Sequence, residues 1–209
     1  SKKGDLVCDP FAGSGTNLIA AAYENRKVIG YDLSPLNLQL IKTACLENTN
    51  IKEEDLKLHH SDGVTMDEYK EDSNMIDLFL TDPPYLNAED YQSNDDRDLC
   101  YSKDMDSFNL KIKECMMNMK RLIKPSNWKS KIFKPIIIKC GSIRKSNSVG
   151  LIDMATEIEM IGRELSLTLH DKIYNELRSS TQHYNVGRCI ENRYTIKSHE
   201  CNLVFLKYE

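Results

Sequence analysis

The chain has 209 residues, with 28 Lys and Arg against 32 Asp and Glu, which gives a formal net charge of −4 at neutral pH. Hydrophobic residues make up 40% of the chain and charged residues 29%, which excludes a collagenous, low-complexity or disordered chain. No apolar run approaches the roughly 18 residues that a membrane-spanning helix needs, so we expect no membrane association. The length fits one large domain, and we predict a single domain over residues 1–209.

The cysteine pattern favours neither a zinc site nor a disulfide framework. The seven cysteines are odd in number, scattered, and contain no CxxC pair. We therefore predict free thiols, buried or half-buried, in the reducing cytoplasm, and no bound metal.

Positive charge is concentrated in one part of the chain. Residues 111–145 contain eleven Lys or Arg against the single acid Glu114, whereas acids dominate between residues 52 and 106. Such asymmetry can place a stripe that faces phosphates on a mildly acidic protein. A solvated helix face followed by a Lys-rich loop explains the same charges, and the sequence leaves both interpretations open.

Short apolar runs alternate with helical ones, a pattern typical of a doubly wound parallel sheet. We predict strands at residues 6–8, 27–31, 56–60, 75–80, 132–139, 165–173 and 201–206. We predict helices at 16–25, from 35 onward after a Ser34 cap, at 105–123 and at 151–162. The last two strands have no helix between them and are expected to pair antiparallel.

The first predicted strand runs into the segment DPFAGSGT (residues 9–16) and then into a helix. Two glycines at such a turn let the backbone approach a ligand, and the helix N-terminus offers unpaired N–H groups. The third glycine of a dinucleotide fingerprint is replaced by Leu18, and no Walker A lysine follows. The segment favours a nucleoside-like ligand without a pyrophosphate, although a plain tight turn explains the glycines equally well.

Acidic residues follow the second and third predicted strands. Asp32 ends the second strand, where a carboxylate can bind a ribose diol. Asp62 follows the third strand, where it can read an adenine amino group. Because the carboxyl ends of parallel strands share one edge of a sheet, we expect both acids to lie near the glycine-containing turn.

The fourth predicted strand ends in TDPPY (residues 81–85), the strongest signal in the chain. Two consecutive prolines fix the backbone and remove two N–H donors, which leaves carbonyl groups free to point into a cleft. Asp82 adds an acceptor and Tyr85 a flat stacking face. Together these groups suit a planar substrate that carries an exocyclic amino group.

The segments DPFAGSGT and DPPY together resemble the amino-methylating DNA methyltransferases, which make N6-methyladenine or N4-methylcytosine. The tail SHECNLVF (residues 198–205) is similar to the closing strand of these enzymes. The resemblance implies a class I S-adenosylmethionine-dependent fold, an α/β doubly wound sheet of about seven strands with an antiparallel last strand and helices on both faces. It also implies S-adenosylmethionine as the cofactor.

The resemblance implies a role for each matching position. The positions implied to bind the cofactor are Asp9, Phe11, Gly13, Gly15, Asp32 and Asp62. The positions implied to hold the target base are Asp82, Pro83, Pro84 and Tyr85. Within the first set, Asp32 is expected at the ribose, Asp62 at the adenine, and the others at the methionine part.

DNA is the substrate that the resemblance implies, with RNA methylated at guanine N2, or a non-catalytic cofactor-binding subunit, as alternatives. Only four residues precede the first strand, where the family usually has a helix, and no target-recognition domain is evident. The chain is then a fragment, or a partner subunit supplies target choice, or the polar segments 85–104 and 175–193 read the sequence. We expect part of the basic segment to lie near the mouth of the cleft.

Overall fold

The computed structural model describes residues 1–85, 95–143, 151–176 and 199–208. Its strands are β1 (Leu6–Asp9), β2 (Lys27–Tyr31), β3 (Leu56–His59), β4 (Leu78–Thr81), β5 (Pro135–Cys140), β6 (Ser142–Ile143), β7 (Ile152–Asp153), β8 (Thr168–Glu176) and β9 (His199–Leu206). Its helices are α1 (Thr16–Tyr23), α2 (Pro35–Asn48), α3 (Met105–Leu122) and α4 (Met154–Glu164). The predicted strands and helices are all present, with ends that differ by at most three residues.

Seven of the strands form one sheet in the order β3-β2-β1-β4-β5-β9-β8, and β6 and β7 form a separate small ribbon. Strands β1 to β5 pair in parallel, whereas β9 lies antiparallel between β5 and β8. The prediction of a mostly parallel, doubly wound sheet whose last strand is antiparallel is confirmed.

Helices cover both faces of the sheet because successive side chains of a strand point to opposite sides. On β2, Val28 packs in a buried cluster with Leu18 of α1 and Ile41 of α2. Its neighbour Ile29 joins the other cluster, which contains Phe108 of α3 and residues of α4. Within the described ranges, no helix is both long and apolar enough to cross a membrane.

Local signals in the sequence set the beginnings of two helices. The Ser34 side chain accepts a hydrogen bond from the Asn37 backbone, and Pro35 occupies the first turn of α2. Asp104 caps α3 and forms a reciprocal capping box with Ser107. These pairs satisfy backbone N–H groups that a helix cannot pair internally, which explains why the predicted starting points are correct.

The predicted polar segment 85–104 is not polar throughout. Residues Leu99–Tyr101 form a short 3-10 turn, and Leu99 and Cys100 are each only 1% exposed. Two adjacent apolar residues within an acidic stretch carry no helical or strand periodicity, so the sequence pattern did not indicate that they enter the core.

An ion cluster joins the starts of three strands at the amino edge of the sheet. The buried Asp77 carboxylate accepts from the Leu6 backbone at 2.9 Å, from Lys124 Nζ at 2.8 Å and from Lys134 Nζ at 2.7 Å. Lys134 Nζ also lies 3.4 Å from Asp5. Burial raises the pKa of Asp77, but the amide and the two lysines outweigh it and hold that pKa below its usual value.

This cluster corrects the predicted placement of the basic segment. Lys124 and Lys134 lie at the amino edge of the sheet, opposite the carboxyl edge at which Asp82 follows β4. The physical reason is topological, because the chain that leaves α3 must return to the amino edge before it can enter the parallel strand β5. The expectation for the basic segment therefore fails at Lys124 and Lys134, whereas Lys139 of the same segment pairs with Asp82, a residue that lines the cleft described below.

We predict that Asp77→Ala lowers the free energy of unfolding by about 3–5 kcal/mol, because two lysines lose their buried partner. Urea denaturation measures the change. The loss should shrink in acid, since a carboxyl with a lowered pKa contributes stability only above the pKa of the unfolded chain, about 3.9, and loses it as the pH falls further.

The matched control is Glu164→Ala. This variant removes the exposed pair between Lys113 and Glu164, whose side chains are 42% and 57% exposed, and should change stability by less than about 1 kcal/mol. Equal losses in the two variants would contradict the role assigned to Asp77.

Candidate functional site

The carboxyl ends of β1, β2, β3 and β4 open onto one cleft of about 480 Å³. This volume lies in the range of small-molecule sites. The predicted site residues that line it are Phe11, Gly13, Asp32, Asp62, Asp82 and Pro84. The structure therefore brings together residues from four strand ends that are far apart in the sequence, as the parallel topology predicts.

Four predicted site residues are not among those that line the cleft, namely Asp9, Gly15, Pro83 and Tyr85. Asp9 and Pro83 are buried, and the Tyr85 ring packs partly against the hydrophobic core. Direct contact between these residues and a ligand stays a prediction, whereas their contacts with neighbouring residues are defined.

We call residues 10–15 the glycine loop. Its two glycines have different roles. Both adopt left-handed backbone conformations, with φ of +51° at Gly13 and +84° at Gly15. A Cβ added at Gly13 would meet no atom within 4 Å, so the backbone there faces open space at the cleft. A Cβ at Gly15 would lie 2.3 Å from Ile41 Cγ1 of α2, so Gly15 permits helix packing.

Asp9 joins the glycine loop to the sheet. Its Oδ1 accepts from the Phe11 backbone at 3.0 Å and from Thr81 Oγ at 2.6 Å, and its Oδ2 accepts from Asn17 Nδ2 at 2.8 Å. Asp9 is 1% exposed, and burial raises its pKa to about 6 although the three hydrogen bonds act in the opposite direction. The carboxylate thus links β1, the loop, α1 and β4.

Asp32 shapes the loop from the other side. It accepts from the Gly13 backbone at 2.7 Å, from the Ser34 backbone at 2.8 Å and from Asn37 Nδ2 at 3.1 Å. An ionised carboxylate offers about four lone-pair positions, so one position on Oδ2 is left for a ligand. Asp32 can therefore accept a ribose hydroxyl while it holds the glycine loop, as a nucleoside-binding acid must.

The turn after β3 touches the glycine loop directly. Asp62 Oδ1 accepts from the Val64 backbone at 2.8 Å, and burial raises the pKa of Asp62. A Cβ at the neighbouring Gly63 would lie 1.8 Å from the Pro10 carbonyl oxygen, which no side chain could tolerate because the contact is with backbone. Sequence analysis did not identify Gly63, since a glycine after Asp also marks an ordinary turn.

Asp82 lies in a network of charged and polar groups. Tyr85 Oη donates to Asp82 Oδ1 at 3.2 Å, and Lys139 Nζ donates to Asp82 Oδ2 at 2.9 Å. Lys139 Nζ is also 2.9 Å from Glu200 Oε2. Burial raises the pKa of Tyr85 well above its usual value, so its hydroxyl stays protonated and donates.

Sequence analysis missed Lys139 and Glu200. A charged residue near the end of the apolar strand β5 was the available signal, because lysines are almost never buried without a partner. The pairing itself depends on the register between β5 and β9, which places Lys139 opposite Asn202. That register is a tertiary feature.

Residues 97–99 complete the lining of the cleft, and sequence analysis missed them as well. Arg97 forms an ion pair with Asp95 at 2.6 Å, and the Asp98 side chain accepts from the Cys100 backbone at 3.0 Å. The predicted recognition segments 85–104 and 175–193 lie outside the described residues at positions 86–94 and 177–193.

The cysteines and the possible metal ligands can be located only within the described ranges. All six cysteines in the described ranges are free and buried, as predicted, and Cys189 lies outside those ranges. No group of three or more His, Cys, Asp and Glu side chains among the described residues is arranged to hold a metal ion.

The strand order and the antiparallel β9 define the class I fold of S-adenosylmethionine-dependent methyltransferases. The structure is similar to such a methyltransferase from Methanosarcina mazei, with a TM-score of 0.62 and 11% identity over 100% of this chain and 94% of that chain. It is also similar to phosphoethanolamine N-methyltransferase 2 of Haemonchus contortus in complex with S-adenosylhomocysteine, with a TM-score of 0.57 and 14% identity over 100% of this chain and 50% of that chain. At these identities the likeness concerns the fold.

Two sequence similarities add information about chemistry. Residues 1–43 match the sequence model of the DNA methylase family of N6- and N4-methyltransferases. A tRNA (guanine(10)-N2)-dimethyltransferase from Methanocaldococcus jannaschii is 34% identical over 86 residues, which are 40% of this chain. The chain spans only 24% of the length of that relative.

These similarities support the resemblance to amino-methyltransferases and support S-adenosylmethionine as the cofactor. The residues that line the cleft also fit S-adenosylmethionine, independently of these similarities. It has open space at Gly13, a remaining acceptor position on Asp32, and the half-buried Asp62 on the next strand end.

We predict that Asp9→Asn removes a pH-dependent part of the stability. A carboxyl whose pKa is raised to about 6 stabilises the fold most below the unfolded value near 3.9, and that stability is lost as the pH rises through 6. The difference amounts to about 3 kcal/mol. Urea denaturation between pH 4 and pH 7.5 should therefore show a smaller decline for Asp9→Asn than for the unmodified protein.

Thr81→Val is the matched control for this titration. It keeps the Asp9 carboxyl and removes a hydrogen bond that lowers its pKa, so the decline should persist and extend to higher pH. Parallel pH profiles for all three proteins would show that Asp9 does not titrate in this range.

Proposed function

We propose that this protein transfers a methyl group from S-adenosylmethionine to the exocyclic amino group of a nucleobase in a nucleic acid. One observation carries the proposal: Asp82, an acceptor for N–H donors, lines the same cleft as Asp32 and Asp62. A group bound at those two acids and an amine bound at Asp82 would share one enclosed space, which is the proximity that group transfer requires.

The residues of the cleft would hold the cofactor by its nucleoside. Asp32 would accept from a ribose hydroxyl through its remaining lone pair, and Asp62 would accept from the adenine amino group. Gly13 would let the backbone approach the methionine part. When bound, S-adenosylmethionine supplies a methyl group that its sulfonium has already activated.

The task left to the chain is to make the target nitrogen reactive. The lone pair of an exocyclic amine is delocalised into the base, which makes the amine a poor nucleophile. Hydrogen bonds from its N–H groups to the Asp82 carboxylate and the Pro83 carbonyl would favour a pyramidal, more reactive nitrogen. No strong base is needed before attack, because the methylated nitrogen becomes acidic and then releases its proton.

Tyr85 would contact both Asp82 and the target nucleobase. Its hydroxyl donates to Asp82 and so fixes the direction of the carboxylate. Its ring would stack on a target nucleobase that has been flipped out of a nucleic acid helix or loop, as enzymes acting on base edges require. The intact Asp82 and Tyr85 argue against a subunit that only binds the cofactor.

Two substrates fit this chemistry, and each has an observation in its favour. The similarity to the tRNA guanine-N2 enzyme covers 86 residues, whereas the DNA methylase model matches 43. We therefore favour guanine N2 in RNA. Adenine N6 or cytosine N4 in DNA, the substrate expected from the sequence motifs, is the second candidate.

The decisive experiment supplies the protein with methyl-labelled S-adenosylmethionine and, separately, tRNA, single-stranded DNA and duplex DNA. Mass spectrometry of the digested nucleosides then identifies the product. N2-methylguanosine supports the first candidate, and N6-methyladenine or N4-methylcytosine in DNA supports the second. Cofactor binding without label in any nucleic acid contradicts the proposed function.

We predict that Asp82→Ala reduces methyl transfer at least about 100-fold, because the target amine loses its charged acceptor. Affinity for S-adenosylmethionine should stay within a few-fold by calorimetry, since the predicted cofactor contacts lie on other strand ends. Asp171→Ala, an exposed carboxylate on β8, is the matched control and should retain activity. Near-normal turnover by Asp82→Ala would remove this residue from the mechanism.

We predict that Asp32→Ala weakens S-adenosylmethionine binding by about 1–3 kcal/mol, since a hydroxyl acceptor is lost and the Gly13 amide is released. Calorimetry gives the dissociation constant directly. Asn37→Ala removes only one donor to the same carboxylate and should have a much smaller effect. A folded Asp32→Ala protein with unchanged affinity would place the ribose elsewhere.

A further inference from the structure

Three charged side chains meet beside the cleft, and the proposed reaction uses only one of them. Lys139 Nζ lies 2.9 Å from Asp82 Oδ2 and 2.9 Å from Glu200 Oε2. Glu200 is largely buried, with its side chain 16% exposed, whereas Lys139 and Asp82 are partly exposed, at 36% and 40%. Holding a flexible lysine between two carboxylates restricts three side chains, so the arrangement calls for an explanation.

The sheet explains why these three residues meet. Thr81 on β4 pairs with Ile138 on β5, so Asp82, the first residue after β4, lies beside Lys139, which is still within β5. Lys139 is in register with Asn202 of the antiparallel β9, and Glu200 lies two residues before it on the same face. The three charges are thus fixed to rigid, adjacent backbone positions.

Without the lysine, the two carboxylates would face each other. Because each has an oxygen 2.9 Å from the same nitrogen, those oxygens lie within about 6 Å of one another. Like charges at this distance repel each other. The Asp82 side chain, which is 40% exposed, would then turn away from Glu200 and toward solvent.

We propose that Lys139, held in place by Glu200, is a positioning residue that keeps the Asp82 carboxylate directed toward the target amine. This inference rests on the proposed function, in which Asp82 accepts from the substrate. Lys139 acts through Asp82 and needs no contact with the substrate. Glu200 has the complementary role of an anchor that prevents the flexible lysine side chain from turning to solvent.

The other ionisable groups near Asp82 do not replace Lys139. Burial raises the pKa of Tyr85 well above its usual value and the pKa of Cys140 to about 12, so both stay neutral. Asp9 is negative above its own pKa of about 6 and adds to the repulsion. Among the described residues, the ion pairs of Asp82 include one cation, Lys139. Burial lowers the pKa of that lysine, but the two carboxylates raise it more, so the lysine stays charged.

The test compares three variants with the unmodified protein. Lys139→Gln should reduce the rate of methyl transfer about tenfold or more at pH 7, with affinity for S-adenosylmethionine unchanged within about twofold. Lys139→Arg keeps the charge and should retain activity within a few-fold.

The double variant Lys139→Gln/Glu200→Gln separates an electrostatic role from other roles. It removes the cation and the competing anion together, so Asp82 is no longer repelled and the rate at pH 7 should rise above that of Lys139→Gln alone. A double variant no more active than the single one would overturn the inference. It would instead indicate a contact between Lys139 and the nucleic acid or a purely structural role.

A readout without substrate keeps this test independent of the proposed function. Crystal structures of the three variants show the direction of the Asp82 carboxylate. It should turn away from Glu200 in Lys139→Gln and keep the direction seen in the unmodified protein in Lys139→Arg and in the double variant. An unchanged direction in Lys139→Gln contradicts the inference, whereas a changed direction without methyl transfer by the unmodified protein contradicts only the proposed function.

Discussion

The buried carboxylate of Asp9 is the interaction on which the geometry of the cleft depends. It accepts hydrogen bonds from the Phe11 backbone, from Asn17 of α1 and from Thr81 of β4, so one side chain fixes the glycine loop, a helix and a neighbouring strand. Burial opposes its ionisation and raises its pKa to about 6. Burial of this carboxylate is unfavourable, but the carboxylate fixes the separation between the glycine loop and the DPPY turn, because Thr81 directly precedes Asp82.

The two edges of the sheet use charge in different ways. At the amino edge, Asp77 is held by Lys124 and Lys134 and joins the starts of strands. At the carboxyl edge, Asp82 and Asp32 keep part of their acceptor capacity for ligands, because their protein partners leave lone pairs open. Parallel strands create this division, since every strand begins at one edge and ends at the other. The fold thus places the ion cluster of Asp77 at one edge and the acids that line the cleft at the other.

The division of charge between the two edges of the sheet does not by itself determine the substrate. A class I sheet and a nucleoside cleft fit many acceptors, and the two enzymes with similar structures share 11% and 14% identity with this chain. In the proposed reaction, the DPPY turn narrows the methyl acceptor to an amine on a planar ring, because Asp82 accepts hydrogen bonds at the cleft. In that reaction, the choice of nucleic acid and of sequence would depend on surfaces that contact its backbone and neighbouring bases.

The sequence by itself determined the strands, the helices and the four strand-end motifs, because hydrophobic periodicity, caps and turn residues are local signals. It placed Asp32, Asp62 and Asp82 correctly at one cleft, since parallel strands must end together. Tertiary structure alone decided the rest. The path of the chain back to β5 placed Lys134 at the opposite edge, and the register of β5 with β9 brought Lys139 and Glu200 to Asp82. Contacts between residues distant in sequence depend on register and crossover direction, and a local pattern carries neither.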